Sequence, residues 1–331
     1  MKLQNLIDEL ERQKPLKWDQ KTDSSQLGMV LAETQAKIQI NGRVNPLAIT
    51  KSCHAQIAER LDIPIKYYSR MENDAPALLA ENVNTWLKAG PREFFVRGLG
   101  ESVRALLSGK YRVIDHLDAL YCSLNELQAH ETEVEDCYLS ETEMNLKIKS
   151  NHLKDFVRHK DDLIIGGLLL VNSETGHRAL RVEPRTFRVQ CSNGMVIEEL
   201  MTRQIHLGNG NNGFDEEVYL SIRRSIRELF SRFGEIVLAL REKTEIKVKN
   251  PQKVINNLVE HYRLSEDQKG NILMAFGAEP EADQYGIANA VTRAAQSEES
   301  WEKSLDLERV GGKLITLPKE EFRKWDEQIV N

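Results

Sequence analysis

Leu163-Ile-Ile-Gly-Gly-Leu-Leu-Leu-Val171 is apolar on both parities. Successive strand side chains point to opposite faces, so this segment has no face to give to water. It is expected as a central strand covered on both sides, and that requirement shapes the rest of the chain. Just upstream, Glu143-Met-Asn-Leu-Lys-Ile-Lys149 alternates cleanly, with Met144, Leu146 and Ile148 inward and Asn145, Lys147 and Lys149 outward. Further strands are expected at 93–97, 102–107, 110–114, 134–139, 178–190 and 203–207. Pro184 interrupts its run and implies an edge or a bulge there.

The flanks read as helical. Residues 1–14 form an amphipathic pattern without a signal core. Asn41-Gly42 between apolar runs predicts a hairpin from 36–40 to 47–50, and Thr50 or Ser52 then caps a helix through Leu61. Helices follow after Pro64 and over about 75–89. From Phe214 one long helix carries Ile222, Ile226, Leu229, Phe230, Phe233, Val237 and Leu240 as a stripe. Shorter helices are expected near 251–262, 266–276, 284–296 and 318–329. The expected class is α+β, with a central, mainly antiparallel twisted sheet, helices packed on it and a helical C-terminal region. Three units are expected: an N-terminal hairpin and helices over 1–90, a β-rich α+β core over 91–207 and a helical region over 214–331.

A chain of 331 residues with a net charge of −6 has no bulk attraction for nucleic acid, so any polyanion contact is local. No apolar run approaches ~18 residues, which argues against a membrane span. Cys53, Cys122, Cys137 and Cys191 show neither C-x-x-C spacing nor disulfide-scaffold density, and a reducing cytoplasm fits them.

Several constellations resemble chemical motifs. Gly208-Asn-Gly-Asn-Asn-Gly213 matches a phosphate-cradling loop, but the acids Asp215, Glu216 and Glu217 follow at once; a capped connector is the favoured reading. Residues 56–71 imitate a helix-turn-helix offering Lys66, Tyr67, Tyr68, Ser69 and Arg70; two helices packed on a sheet read the same. Cys191, at a strand end before Ser192-Asn193-Gly194, has the local look of a nucleophile on a turn, yet no histidine stands in a partner motif. The histidines have no metal-ligand spacing. No cofactor and no catalytic residue is assigned.

The densest feature is basic. Four arginines, Arg178, Arg181, Arg185 and Arg188, face one acid, Glu183, between 178 and 188. Lys147, Lys149 and Arg112 extend the set, with Tyr111 and Phe187 as aromatic neighbours. Arginine forks for phosphates and aromatic rings for bases are the chemistry of single-strand binding. Neutralisation by the acids at 131–143 is the alternative. A second basic face on the long helix holds Arg223, Arg224, Arg227 and Arg232.

On these residues the chain resembles the phage/plasmid-like family known only as domain of unknown function 932. Ser108-Gly-Lys-Tyr-Arg-Val-Ile-Asp115 is similar to its central signature. Asn172-Ser-Glu-Thr-Gly176, Arg181-Val-Glu183 and Cys191-Ser-Asn-Gly-Met195 resemble its most specific block. Leu61–Tyr68, Glu81–Leu87, Asn289–Gln296 and Leu307–Gly312 resemble its two ends. The resemblance implies a mobile genetic element such as a prophage in a bacterial cytoplasm, and no established catalytic residues. The expected function is a nucleic-acid-binding protein, in particular an oligomeric single-stranded DNA binding or annealing protein. The alternative is a protein–protein module, such as an anti-defence or host-takeover factor that meets a host protein through the same arginines.

Overall fold

The structure, a computed structural model, describes residues 1–190, 192–197, 202–204 and 216–327. Helix α1 (Leu3–Gln13) leads to β1 (Lys17–Asp23), β2 (Leu27–Ala32), β3 (Gln35–Ile40) and β4 (Ala48–Ile49). Helices α2 (Lys51–Arg60), α3 (Ile65–Asp74) and α4 (Pro76–Lys88) precede β5 (Glu93–Leu99) and β6 (Ser102–Ser108). Then come α5 (His116–Ala129), β7 (Thr132–Leu139), β8 (Met144–Phe156), β9 (Leu163–Asn172), β10 (Leu180–Arg188), β11 (Asn193–Val196) and β12 (Thr202–Gln204). The rest is helical: α6 (Glu216–Ser231), α7 (Phe233–Thr244), α8 (Pro251–Tyr262), α9 (Glu266–Ala278), α10 (Gln284–Ala294), α11 (Trp301–Thr316) and α12 (Lys319–Glu327). The architecture is the α+β fold expected, with mostly antiparallel sheets and a helical C-terminal region.

The largest sheet runs β11-β10-β9-β8-β7, with β12 beside β10. Strand β9 is its centre and is covered on both faces from Leu168 to Val171. Leu163 and Ile165, at its start, are only partly buried, so the expectation of a strand covered throughout holds for its second half. Leu168 and Leu170 pack in a core with Leu120, Ile222 and Ile226. Leu169 and Val171, on the opposite face, pack with Val196, Leu305 and Trp301. Pro184 lies inside β10 without harm. It marks neither an edge nor a bulge, since β10 pairs with β9 without a register shift. β11 pairs with 185–188 and β12 with 180–182, the Pro184 carbonyl accepts from the Ile197 N–H (2.9 Å), and the missing N–H falls between the two paired segments.

The N-terminal part differs from expectation in register. The hairpin is β2–β3, turning at Glu33 (φ 58°), and the Asn41-Gly42 turn leads only to one bridge, Ile38 to Leu47. Beyond Pro46 the chain leaves β3, because Ala48 and Thr50 donate their N–H groups to Glu101 and Val103 (both 3.1 Å) and pair β4 parallel with β6. Strand β1, Lys-Trp-Asp-Gln-Lys-Thr-Asp, was not anticipated; it is a polar edge strand pairing with β5. The sheet β1-β5-β6-β4 therefore joins residues from both sides of position 90. Residues 112–114 form no strand, and the Ile114 carbonyl accepts from Asn172 Nδ2 instead.

The apolar stripe from Ile222 to Leu240 is broken at Arg232 (φ −94°, ψ 3°) into α6 and α7. Its first half, Ile222, Ile226 and Leu229, packs under the sheet. Its second half, Phe233, Val237 and Leu240, joins the C-terminal core with Leu258, Ile272 and Val291. One stripe thus serves two cores, and the break is the hinge between them.

Candidate nucleic-acid interface

Pairing in the large sheet puts Arg181, Glu183, Arg185 and Phe187 of β10 on one face with Lys147 and Lys149 of β8. Helix α11 lies across part of that face. Its Glu308 accepts Arg185 Nε and Nη2, both at 3.1 Å, and Lys147 Nζ at 2.8 Å. All three side chains are buried. Arg185 Nη1 reaches Glu135 as well. Burial raises the Glu308 carboxyl, but Arg185 and Lys147 outweigh it and hold the group below the usual carboxylate range. Arg309 of the same helix bonds Glu183 at 3.0 Å, and Arg181 stands 3.6 Å from that carboxylate.

Arg188 points to the other face. It binds buried Asp162 through Nε at 2.5 Å and Glu279 through both terminal nitrogens, at 2.7 and 2.5 Å. Arg178, nearly half exposed, lies 3.3 Å from Glu143. The four arginines therefore do not line up as one phosphate track. Arg185 and Arg188 fasten the C-terminal helices to the sheet, and a phosphate could take them only by displacing a buried carboxylate. The local count of four arginines to one acid misled because Glu308 and Glu279 come from far along the chain. Helix α11 itself escaped sequence reading, since Gly311-Gly312 looks like a helix break. Here the pair lets the helix approach: a Cβ at Gly312 would stand 1.8 Å from the Val196 carbonyl oxygen.

The Asn172–Gly176 turn is also structural. Glu174, 1% exposed, lies where the two larger sheets meet and binds Lys17, Arg104 Nη1 (3.0 Å) and the His116 N–H (2.7 Å). Burial pushes its carboxyl up, yet His116 and the cations Lys17, Arg104 and Arg97 hold it well below the usual range. Arg97 bonds Asp19, Asp115 and the Glu174 carbonyl. Tyr111, half-buried, donates its hydroxyl to the Ser173 and Glu174 carbonyls, so it braces this turn and is not poised as a base platform. Arg112 is half-buried beside it. His116 is fully buried; burial lowers its pKa to about 4, and its Nδ1 faces the Asn172 amide at 3.0 Å.

Other motif residues take structural roles or fall outside the description. Helices α2 and α3 bury Cys53, Ile57, Tyr68 and Met71 in the N-terminal core, while Lys66, Tyr67 and Arg70 face outward. Arg223 and Arg227 converge on buried Glu126. Cys191 and the 208–213 loop lie outside the described residues. Among the described residues no group of histidine, cysteine and acid side chains could hold a metal ion, and no helix is long and apolar enough to cross a membrane.

Among the described residues, one end of the α11-facing surface is left uncovered. Lys149 pairs opposite Gly167, Lys154 opposite Ile165, Phe156 opposite Leu163, and Phe187 opposite Ile165, which puts these side chains on one face. Lys149 Nζ stands 5.4 Å from the Phe187 ring centroid. Phe156 and Val189 are each 41% exposed, and Lys154 is exposed. Phe156, Leu163, Ile165 and Phe187 belong to none of the buried cores. Of the nine residues singled out from sequence, only Lys149 and Phe187 meet on this patch. Compared with known proteins, the chain matches no family model, no curated protein and no solved structure.

Proposed function

We propose that the chain binds single-stranded nucleic acid on this uncovered end of the sheet. The observation that carries the reading is the Lys149–Phe187 contact beside exposed Phe156 and Lys154. Two partly exposed rings on a sheet face offer bases a stacking surface, and flanking lysines offer phosphates a counter-charge. Glu133, opposite Lys149, is the acid nearest that cation in the ladder, so the attraction is modest and local. The buried arginines support the site indirectly by fixing the sheet. A cytoplasmic setting accords with Cys53, Cys122 and Cys137, all buried and free of disulfides. Mobile-element origin, oligomeric assembly and annealing rest on the sequence resemblance and its surface analogy alone.

Fluorescence anisotropy with labelled single- and double-stranded oligonucleotides across a salt series tests the reading. Single strands should bind more tightly, with affinity falling as salt rises. F156A/F187A and K149E/K154E should each weaken binding at least tenfold. Binding that is absent at low salt, or unchanged in both variants, refutes it. The exposed apolar area also suits a protein partner. That alternative is favoured by a complex that survives nuclease and high salt and is lost in F156A/F187A.

A further inference from the structure

A second open site lies in the N-terminal part, where β3 and β4 diverge. Ile38 and Leu47 exchange both backbone hydrogen bonds, at 3.0 and 2.8 Å. The next pair in that antiparallel register is Ala36 and Ile49, and among the described residues it is not bridged. Backbone direction alternates along a strand, so the N–H and C=O of Ala36 point to the same edge as those of Ile38. Ala48 and Thr50 direct their N–H groups to β6, so those of Ile49 point away from β6, toward β3. Between the two edges is a cleft of about 750 Å³, lined by both strands and closed by α2 and α3. That volume falls within the range of ligand-binding clefts.

The walls indicate the occupant. Ala48, Ile49, Ala55 and Ile65 give an apolar lining, and Ile65 is 51% exposed. Lys37 and Lys51 stand at the rim. Glu72, the acid of the lining, lies 3.5 Å from His54 Nε2, and His54 Nδ1 is tied to the Tyr68 hydroxyl at 2.8 Å. Burial holds the His54 pKa below its usual value, so His54 adds no charge, and Lys37 and Lys51 outnumber Glu72. The lining is net positive on a chain whose net charge is −6.

We infer that this seam binds an extended acidic peptide of a partner protein, which enters as an added strand along Ala36 with Ile49 on the facing wall. Main-chain groups that continue an interrupted ladder recognise a peptide backbone, and alternate side chains then reach the apolar wall and the lysines. The site is separate from the sheet patch proposed for nucleic acid.

The test is panning of a random ten-residue peptide library against the full-length chain, followed by anisotropy with the enriched peptides. Enriched sequences should alternate aliphatic residues with Asp or Glu. Ala36→Pro removes the outward N–H without touching the β2–β3 ladder and should abolish binding, with circular dichroism confirming the fold. K37E/K51E should weaken binding at least tenfold, and peptide should slow amide hydrogen exchange at Ala36. Nucleic-acid binding should be unchanged in both variants. No enrichment, enrichment of basic peptides, or binding indifferent to Ala36→Pro and K37E/K51E overturns the inference.

Discussion

Arg185 and Glu308 are joined by two parallel hydrogen bonds of 3.1 Å across a separation of 123 residues. The same carboxylate takes Lys147, so a strand pair and a distant helix share one buried charge cluster. Breaking a buried pair leaves an uncompensated charge, which costs about 3–5 kcal/mol, whereas replacing the whole cluster by apolar groups is often neutral. Glu308→Leu should therefore lower stability by about that amount in urea unfolding. The triple change K147M/R185M/E308L should recover most of it. Equal losses in the single and triple variants would show that packing, not charge, holds α11.

His116 makes stability depend on mildly acidic pH. Its folded pKa, about 4, lies below the ordinary value of 6.5, so between these pH values the unfolded chain binds the extra proton. Stability should be full above pH 6.5 and fall as pH drops toward 4, by on the order of 3 kcal/mol. Glu174 and Glu308, both depressed, add losses as pH falls below their ordinary 4.5 toward their folded values. Thermal unfolding from pH 8 to 4 checks this, and His116→Gln should flatten the upper part of the curve.

Strand β9 changes environment along its length. Leu169 is fully buried under α11, while Ile165 is only partly buried on the open end of the same face. Leu169→Ala should cost about 2–5 kcal/mol. Ile165→Ala should cost under about 1 kcal/mol, since it removes less buried surface. Comparable losses would mean that the open end is covered in solution, and would count against the nucleic-acid site.

Gly194 has a spatial reason to be glycine. A Cβ there would lie 1.9 Å from Arg185 Nη2, so even alanine must push the guanidinium off Glu308. Gly194→Ala should destabilise by about 2–4 kcal/mol, by the same route as loss of the buried pair. In the background of K147M/R185M/E308L the penalty should shrink to under about 1 kcal/mol. A penalty of equal size in both backgrounds would place the strain elsewhere.

Local patterns were readable without the fold. The two-sided run at 163–171 is the central strand, buried on both faces over Leu168–Val171, and α8 begins at Pro251 and ends at Tyr262 as its periodicity indicates. The alternation at 143–149 falls in strand β8 with Met144, Leu146 and Ile148 in the core. Asn145 and Lys147, expected outward, are buried too because α11 covers that face. These signals survive because strand and helix periods are written in neighbouring residues. Strand β1 and helix α11 were not readable, one being a polar edge and the other carrying two adjacent glycines in its interior.

The arginine-rich stretch shows where the boundary falls. Sequence determined that Arg178, Arg181, Arg185 and Arg188 lie in a strand-forming stretch, which Pro184 was expected to interrupt, whereas the structure makes 180–188 one continuous strand. Only the tertiary structure decided that two of them are buried against Glu308, Glu135, Asp162 and Glu279, leaving Lys149 and Phe187 on the open end of the sheet. The reason is physical. A buried guanidinium must find its carboxylate wherever the fold brings one, and distance along the chain sets no limit on which one that is.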